Sequence, residues 1–259
     1  MIRWLLKRYV PLPKIVDAQR ILCVGAHPDD IEVGAGGTVA HLTRTGKEVW
    51  FLIITDGGAG SSNPDQSRQA LKEIRSQESA QAAAKLGVKK VIELGFPDAG
   101  IYDKFQVAQQ IAKVIVSFDP DLIMSPDPSL ASEFHPDHII AGEAVKVALL
   151  WAGYPLAYRQ QVGDIADVPA SHFRSRTCAF FFTARVNQRI RFSEEDRLRQ
   201  KQAIKAHQSQ FSDGREREMI DRYQRLRSIG FGNYGKGGTE GFFVLGGVHQ
   251  HCFPEVNRY

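Results

Sequence analysis

Residues 21–30, ILCVGAHPDD, run from apolar side chains directly into a histidine, a proline and two adjacent aspartates. The first part of this stretch is short, apolar and partly β-branched, which is typical of a buried strand. Ile31, Ala35 and Val39 then recur at helical spacing, so the pattern predicts a strand, a short loop and a helix. Ligands of open parallel sheets bind outside the carboxyl ends of the strands, so polar residues placed there are candidates for chemistry.

A second stretch carries the same kinds of residue. Residues 133–138, EFHPDH, also follow an apolar, strand-like run, 121–126. Asp29 or Asp30 alone could simply cap the following helix, which is a common role for aspartate. Two predicted strand ends with matching histidines and carboxylates favour a functional site over that structural role.

His27, Asp30 and His138 make a set of two histidines and one carboxylate. This ligand type suits catalytic zinc or ferrous iron and leaves one coordination position open. His135 and His138 are three residues apart, so both can lie on one face of the first turn of a helix. Asp29 and His135 would remain unligated, and they are the acid and base groups that an activated water requires.

The two histidine motifs resemble those of the LmbE-like, PIG-L type metal-dependent de-N-acetylases. The resemblance rests on 27–30, HPDD, with two glycines shortly beyond it, and on 135–138, HPDH. It covers most of the chain, from about residue 20 to about residue 246, although only these two motifs are specific. Its weaker parts are 55–57, TDG, then Arg75 with Glu78, Asp98, and 205–210, KAHQSQ.

This resemblance implies a zinc-dependent hydrolase, with Fe²⁺ as the alternative metal. The enzyme would remove an N-acetyl group from an N-acetylglucosamine-type sugar conjugate, a carbon–nitrogen bond other than a peptide bond. Arg75 is implied to hold the polar or anionic part of the substrate, the alternative being a solvated helix residue paired with Glu78. Asp98 is implied to bind sugar hydroxyls, since a carboxylate accepts hydrogen bonds from them. Either the pocket rim or a partly exposed helix end is expected for Lys205, His207 and Gln210.

The residue types suggest a mechanism. The metal would lower the pKa of a water and polarise the acyl oxygen. Asp29 would take the proton of that water and return it to the departing amine. His135 would stabilise the oxyanion, most usefully as a protonated imidazole. Glu133 departs from the family pattern, because some relatives that act on a thiol-cofactor precursor carry tyrosine there, so their substrate and the role of that tyrosine do not transfer.

Strand and helix patterns alternate from residue 20 to residue 153. This order predicts an α/β fold with a doubly wound, mostly parallel, Rossmann-like sheet, in which the first and fourth strands are neighbours. The predicted strands are 21–26, 49–55, 88–94 and 121–126, and the predicted helices include 67–86, 105–118 and 139–151.

The remaining residues, 154–259, predict a C-terminal α+β extension packed on this core, which completes the same domain and the pocket rim. Residues 177–183 and 185–192 are predicted strands, and 193–210 is a charged helix capped by Ser193. The glycine-rich stretch 230–241 is interpreted as a loop that shapes the pocket.

Composition limits the function classes. The chain has 259 residues, 43% of them hydrophobic, and a net charge of +4, which does not require a nucleic acid partner. Three distant cysteines, at 23, 178 and 252, indicate reduced thiols in a cytoplasmic protein. The uninterrupted apolar stretch in the N-terminal arm, 1–19, is too short to span a membrane. The arm could contact an anionic membrane surface or pack on its own domain or a neighbouring subunit, and we expect a homo-oligomer.

Two other function classes stay open at this point. A metal-dependent phosphoesterase uses the same residue types, but a two-metal site needs more ligands than the motifs supply. A non-catalytic nucleotide- or sugar-binding Rossmann-like module would explain the sheet and the glycines. It would not explain the HPDH motif, and the glycines do not form the GxGxxG turn.

Overall fold

A single mixed sheet dominates the computed structural model, which describes residues 2–211 and 214–258, without the side chains of 2, 3, 257 and 258. Within this part of the chain the strands are β1 Arg20–Gly25, β2 Glu48–Thr55, β3 Lys90–Phe96, β4 Leu122–Pro126, β5 Thr177–Phe181, β6 Gln188–Phe192 and β7 Gly238–Leu245. The α-helices are α1 Ile2–Tyr9, α2 Asp30–Arg44, α3 Arg68–Leu86, α4 Lys104–Phe118, α5 Pro136–Gly153, α6 Pro155–Gln161, α7 Glu194–Ala206 and α8 Gly214–Gly230.

The strand order is β3-β2-β1-β4-β5-β7-β6. The first five strands in this order, β3, β2, β1, β4 and β5, are parallel. β7 pairs antiparallel with both β5 and β6. β1 lies between β2 and β4, so the winding direction reverses between the first and fourth strands. The predicted doubly wound, mostly parallel fold is confirmed, and so is the predicted contact between β1 and β4.

Helices cover both faces of the sheet. Leu22 and Val24 of β1 belong to the apolar cluster that contains α4 and α5, whereas Ile21 and Cys23 belong to the cluster that contains α2 and α3. Neither face of such a strand contacts water, so its side chains are apolar on both faces. This explains the unbroken apolar run at the start of the first motif.

Local capping explains where the helices begin and end. The Ser67 side chain accepts a hydrogen bond from the backbone N–H of Ala70 at the start of α3, and Gly87 follows the last turn with φ 74°. Ser193 and Asp196 form a capping box at the start of α7. Both predicted helices are therefore confirmed near their expected starts, because short-range hydrogen bonds decide them.

The interpretation of 230–241 as a loop that shapes the pocket is wrong in part, because only 231–237 form a loop. β7 begins at Gly238, and none of these residues lines the cavity described below. A Cβ on Gly238 would come within 2.3 Å of the Phe192 ring, so this glycine marks a close approach inside a strand rather than a loop. The Glu240 carboxylate accepts hydrogen bonds from the backbone N–H groups of Gly37 and Thr38, and it therefore fastens β7 to α2.

The N-terminal arm is attached to the sheet beyond α1. The Gln188 side chain of β6 accepts a hydrogen bond from the Ile15 N–H and donates one to the Pro13 carbonyl. Trp4 and Tyr9 on α1 are exposed. Among the described residues no single helix has the length and apolar composition to cross a membrane, and α5 with α6 passes that test only as a pair bent by 120°.

Candidate active site

The two histidine motifs meet at the carboxyl ends of β1 and β4. His27 follows β1, Asp30 opens α2, and His135 caps α5, which carries His138 in its first turn. Together with Asp29, Arg75 and Asp98, these predicted residues line one cavity of 310 Å³. Because the winding direction reverses between β1 and β4, these strands are neighbours, and the two motifs meet although they are far apart in the sequence. The other residues that line the cavity are Ala59, Gly60, Ala99 and Gln210.

Three of these side chains point their free atoms at a common position. Nδ1 of His27 lies 3.2 Å from Nε2 of His138. That Nε2 lies 3.1 Å from Oδ1 of Asp30, whose other oxygen accepts a hydrogen bond of 2.7 Å from the His27 backbone N–H. Asp30 therefore keeps one oxygen for another partner.

The donor set fits a zinc-type ion. Ligand bonds of about 2.0–2.1 Å at tetrahedral angles place ligand atoms about 3.3 Å apart, and the two distances above, 3.2 and 3.1 Å, are close to that value. Two imidazole nitrogens and one carboxylate oxygen suit Zn²⁺ or Fe²⁺ and leave a position open for water or substrate.

His27 is held from its other side by two carboxylates. Its Nε2 lies 3.1 Å from Oδ1 of Asp98 and 3.2 Å from Oδ2 of Asp137. Burial alone would lower the pKa of His27, but Asp137, Asp30 and Asp98 raise it to about 12. Asp137 was not assigned from the sequence, although its place between the histidines of the second motif was a usable signal. It is fully buried and also accepts a hydrogen bond from the Tyr102 hydroxyl.

His138 has a carboxylate partner of its own. Its Nδ1 lies 2.8 Å from Oε2 of Glu133. Burial would lower the pKa of His138, but Asp30 and Glu133 outweigh it and raise the pKa to about 9. Glu133 was noted in the sequence only as a departure from the family pattern, because nothing in the spacing shows that its side chain folds back onto the histidine five residues later.

Asp29 does not cap α2, although it occupies the N-cap position. Its side chain makes no capping hydrogen bond, and its backbone has φ 119°, an uncommon value for a residue other than glycine. The carboxylate lies in the cavity wall, 3.3 Å from Nη2 of Arg75. Burial raises the pKa of Asp29 to about 6, although the guanidinium opposes the rise. A carboxyl with this pKa can both accept and release a proton near neutral pH.

Arg75 is buried, with 3% of its surface exposed. It donates hydrogen bonds to the backbone carbonyls of Pro28 and Gly57 as well as to Asp29. The alternative of a solvated residue paired with Glu78 is wrong, because Glu78 turns away to accept two hydrogen bonds from Ser209. The substrate-binding role of Arg75 stays a prediction.

Asp98 is buried beside the same arginine. One of its oxygens lies near His27, and the other accepts a hydrogen bond of 2.9 Å from the Ala59 N–H. Its predicted contact with sugar hydroxyls also stays a prediction.

His135 is the most exposed of the site histidines, with 39% of its side chain accessible. Its Nδ1 accepts a hydrogen bond from the Asp137 N–H, so in the neutral ring Nε2 carries the hydrogen. Burial and the nearby His27 and His138 lower the pKa of His135. The structure therefore favours a neutral imidazole that donates through Nε2, rather than the protonated ring that would stabilise an oxyanion best.

The 205–210 string reaches the cavity at one residue. Gln210 lines it and donates a hydrogen bond to the Gly60 carbonyl. His207 is fully buried behind the site, with its Nε2 3.2 Å from a Glu32 oxygen. Lys205 is exposed on the last turn of α7. The rim prediction holds for Gln210, and the exposed helix end holds for Lys205.

Known proteins are similar to this chain in sequence and in fold. The family model described as PIG-L, GlcNAc-PI de-N-acetylase, matches residues 22–149. The diacetylchitobiose deacetylase of Thermococcus kodakarensis is 32% identical over 241 residues, which cover 92% of this chain and 87% of that protein. The 1D-myo-inositol 2-acetamido-2-deoxy-alpha-D-glucopyranoside deacetylase of Kineococcus radiotolerans is 30% identical over 54% of this chain and 47% of that protein. The solved structure of N,N'-diacetylchitobiose deacetylase from Pyrococcus horikoshii, complexed with its inhibitor MPG, matches with a TM-score of 0.84 and 28% identity over 94% of this chain and 90% of that one.

Proposed function

This chain belongs to the PIG-L family of GlcNAc-PI de-N-acetylases and is an N-deacetylase, and from that premise we propose that it uses zinc to hydrolyse the acetamido group of an N-acetylglucosamine-type sugar conjugate. The observation that carries the proposal is the convergence of His27 Nδ1 and His138 Nε2, 3.2 Å apart, in a cavity that also contains Asp29. The relatives named above act on acetamido sugars according to their names, which supports this substrate class.

His27, Asp30 and His138 would hold the zinc ion, with Fe²⁺ as the alternative. When bound, such an ion would acidify a water and polarise the acyl oxygen of the substrate. The protein supplies the remaining steps. Asp29 takes the proton of the attacking water, and Arg75 keeps its carboxylate turned toward the cavity. Because an amide nitrogen cannot leave as an anion near neutral pH, Asp29 then returns the proton to the departing amine.

His135 is the second catalytic residue of the proposal. Its Nε2–H is free to donate a hydrogen bond to the oxygen that gains negative charge in the transition state, because its Nδ1 is occupied by the Asp137 N–H. A fixed donor of this kind stabilises the oxyanion without a prior reorganisation.

Asp98 and Arg75 differ in what they can offer the sugar. A carboxylate has about four lone-pair sites, and the described contacts of Asp98 with His27 and Ala59 leave acceptor capacity for a sugar hydroxyl. Arg75 would act on the substrate chiefly through Asp29, because its two terminal nitrogens donate to the Gly57 and Pro28 carbonyls and to Asp29.

We also propose a cytoplasmic homo-oligomer. Free Cys23 and Cys178 in the core support a reducing compartment. The exposed Leu150 of α5, Leu156 of α6 and Tyr154 between the two helices support a contact between subunits. Sedimentation of the purified protein tests the second point directly, and a monomer at working concentration would refute it.

Metal analysis of the purified protein, followed by measurement of amine release, tests the catalytic proposal. We expect about one ion per chain and amine release from N-acetylglucosamine conjugates that stops on chelation and returns with Zn²⁺. A phosphate ester serves as the second substrate, since a phosphoesterase would hydrolyse it instead. A protein that neither binds Zn²⁺ nor releases amine would refute the proposal and favour a binding module.

A further inference from the structure

Both carboxylate oxygens of Glu133 contact the second histidine motif. Oε1 accepts a hydrogen bond of 2.7 Å from the His135 backbone N–H, and Oε2 lies 2.8 Å from Nδ1 of His138. The backbone N–H of Glu133 donates to the Leu130 carbonyl. Only 19% of the side chain is exposed. The carboxylate therefore bridges the N-cap residue and the first turn of α5.

The contact with Nδ1 fixes which nitrogen of His138 is available to a ligand. An ionised carboxylate can only accept, so the hydrogen of the neutral imidazole must lie on Nδ1. Nε2 then keeps its lone pair, and it is the nitrogen that faces His27 and Asp30. The other tautomer would place a hydrogen where the metal has to bind.

We infer that Glu133 is a positioning residue that selects the metal-binding tautomer of His138 and holds its ring toward the ligand position. This inference rests on the proposed zinc site. Carboxylates that receive the second N–H of a ligating histidine raise its affinity for the metal and fix the orientation of its ring. Here the carboxylate comes from the loop between β4 and α5. His27 is held instead by Asp98, which follows β3, and by Asp137 in the first turn of α5.

Glutamine is an informative replacement because it keeps the shape and removes half of the acceptors. Its amide has a single oxygen, which can take the place of Oε1 beside the His135 N–H or of Oε2 beside His138 Nδ1, but not both. If the oxygen stays with His135, the NH₂ group faces Nδ1 of His138 and favours the hydrogen on Nε2. Glu133→Gln should therefore weaken the zinc site without leaving a cavity.

The test measures the Zn²⁺ affinity of the 259-residue chain by competition with a chromophoric chelator. We expect Glu133→Gln to bind Zn²⁺ about 10–100-fold more weakly than the wild type, with a changed visible spectrum after Co²⁺ substitution. Glu133→Asp, which keeps the charge but is one methylene shorter, should recover part of the affinity. Glu143→Gln is the matched control, since Glu143 lies on α5 and bonds to Lys104 at a partly exposed position outside the cavity. The affinity of this variant should equal that of the wild type.

The outcomes separate this inference from the proposed function. A wild type that binds Zn²⁺ and a Glu133→Gln variant within twofold of it would overturn the role of Glu133 and leave the metal site intact. A wild type that binds no Zn²⁺ would refute the site and the inference together. If Glu133→Gln does not fold, Glu133→Asp decides, because wild-type affinity and wild-type cobalt spectrum in that variant would show that the geometry of the carboxylate is unimportant.

Discussion

Replacing Arg75 by lysine separates positioning of the general base from substrate binding. The guanidinium bonds to three oxygens on different sides: the Pro28 carbonyl at 2.7 Å, the Gly57 carbonyl at 3.1 Å and Asp29 Oδ2 at 3.3 Å. An ammonium keeps the charge but not the planar fork. We expect it to satisfy one of these oxygens and to leave the others without their donor.

The geometry gives the size of the effect. Hydrogen bonds that involve a charged group contribute about 1.5–3 kcal/mol each, so the loss of two should lower the free energy of unfolding by about 3–6 kcal/mol. Displacement of a catalytic group by about 1 Å costs about 10²-fold in rate. Because Asp29 is the proposed general base of the chemical step, we expect kcat to fall by that factor while KM changes less than threefold.

Steady-state amine release and urea unfolding measure the two effects on one preparation. Arg199→Lys is the matched control, because Arg199 also donates to backbone carbonyls, those of Lys85 and Ala40, away from the cavity. It should lose stability and keep kcat. A large rise in KM with unchanged kcat in Arg75→Lys would show that Arg75 contacts the substrate and that the positioning role is wrong.

The remaining predictions use the same assays. Asp29→Asn should lower kcat by about 10²–10⁴-fold and keep bound zinc, and equal loss of metal would show that Asp29 is a ligand. Gly57→Ala should lower kcat at least tenfold, since its Cβ would lie 2.8 Å from Arg75 Nε; Gly46→Ala, also at positive φ but with nothing within 4 Å, should cost only stability, and equal kcat in the two variants would contradict the clash. Burial opposes ionisation of Asp196, but its arginine partner and the capping bonds lower its pKa to about 2. Its stabilisation is therefore present above the unfolded pKa of about 3.9 and lost as the pH falls toward 2. Urea unfolding between pH 5 and 2.5 should show this loss in the wild type but a flatter profile in Asp196→Asn, and parallel profiles would refute it.

The sequence carries enough information to predict the sheet and the meeting of the two motifs. Parallel strands buried on both faces give unbroken apolar runs, such as 21–26. The reversal of winding makes β1 and β4 neighbours, and this places His27 beside His138. These predictions succeed because they depend on periodicity and on the handedness of crossovers, which are local or topological rules.

Side-chain partners across the crevice could not be predicted in the same way. Helical spacing suggested that Arg75 pairs with Glu78, but Glu78 binds Ser209, which lies 131 positions away. Burial and long-range contacts decide such pairings, and single-sequence patterns contain neither. The positive φ of Asp29 could likewise not be predicted, because aspartate adopts many backbone conformations and the contact of Asp29 with Arg75 is a tertiary one.

The central place of β4 limits how the metal motifs can be moved between proteins. β4 carries the second motif at its end and pairs with β1 on one side and β5 on the other. A fragment that ended after α5 would contain every proposed metal ligand, but it would lack β5 and expose the backbone of β4 along one edge. That strand contains Leu122, Ile123 and Met124, and a bare apolar edge is a template for intermolecular pairing. Grafting or truncation experiments should therefore keep the chain through β7, or aggregation will remove the site before its chemistry can be measured.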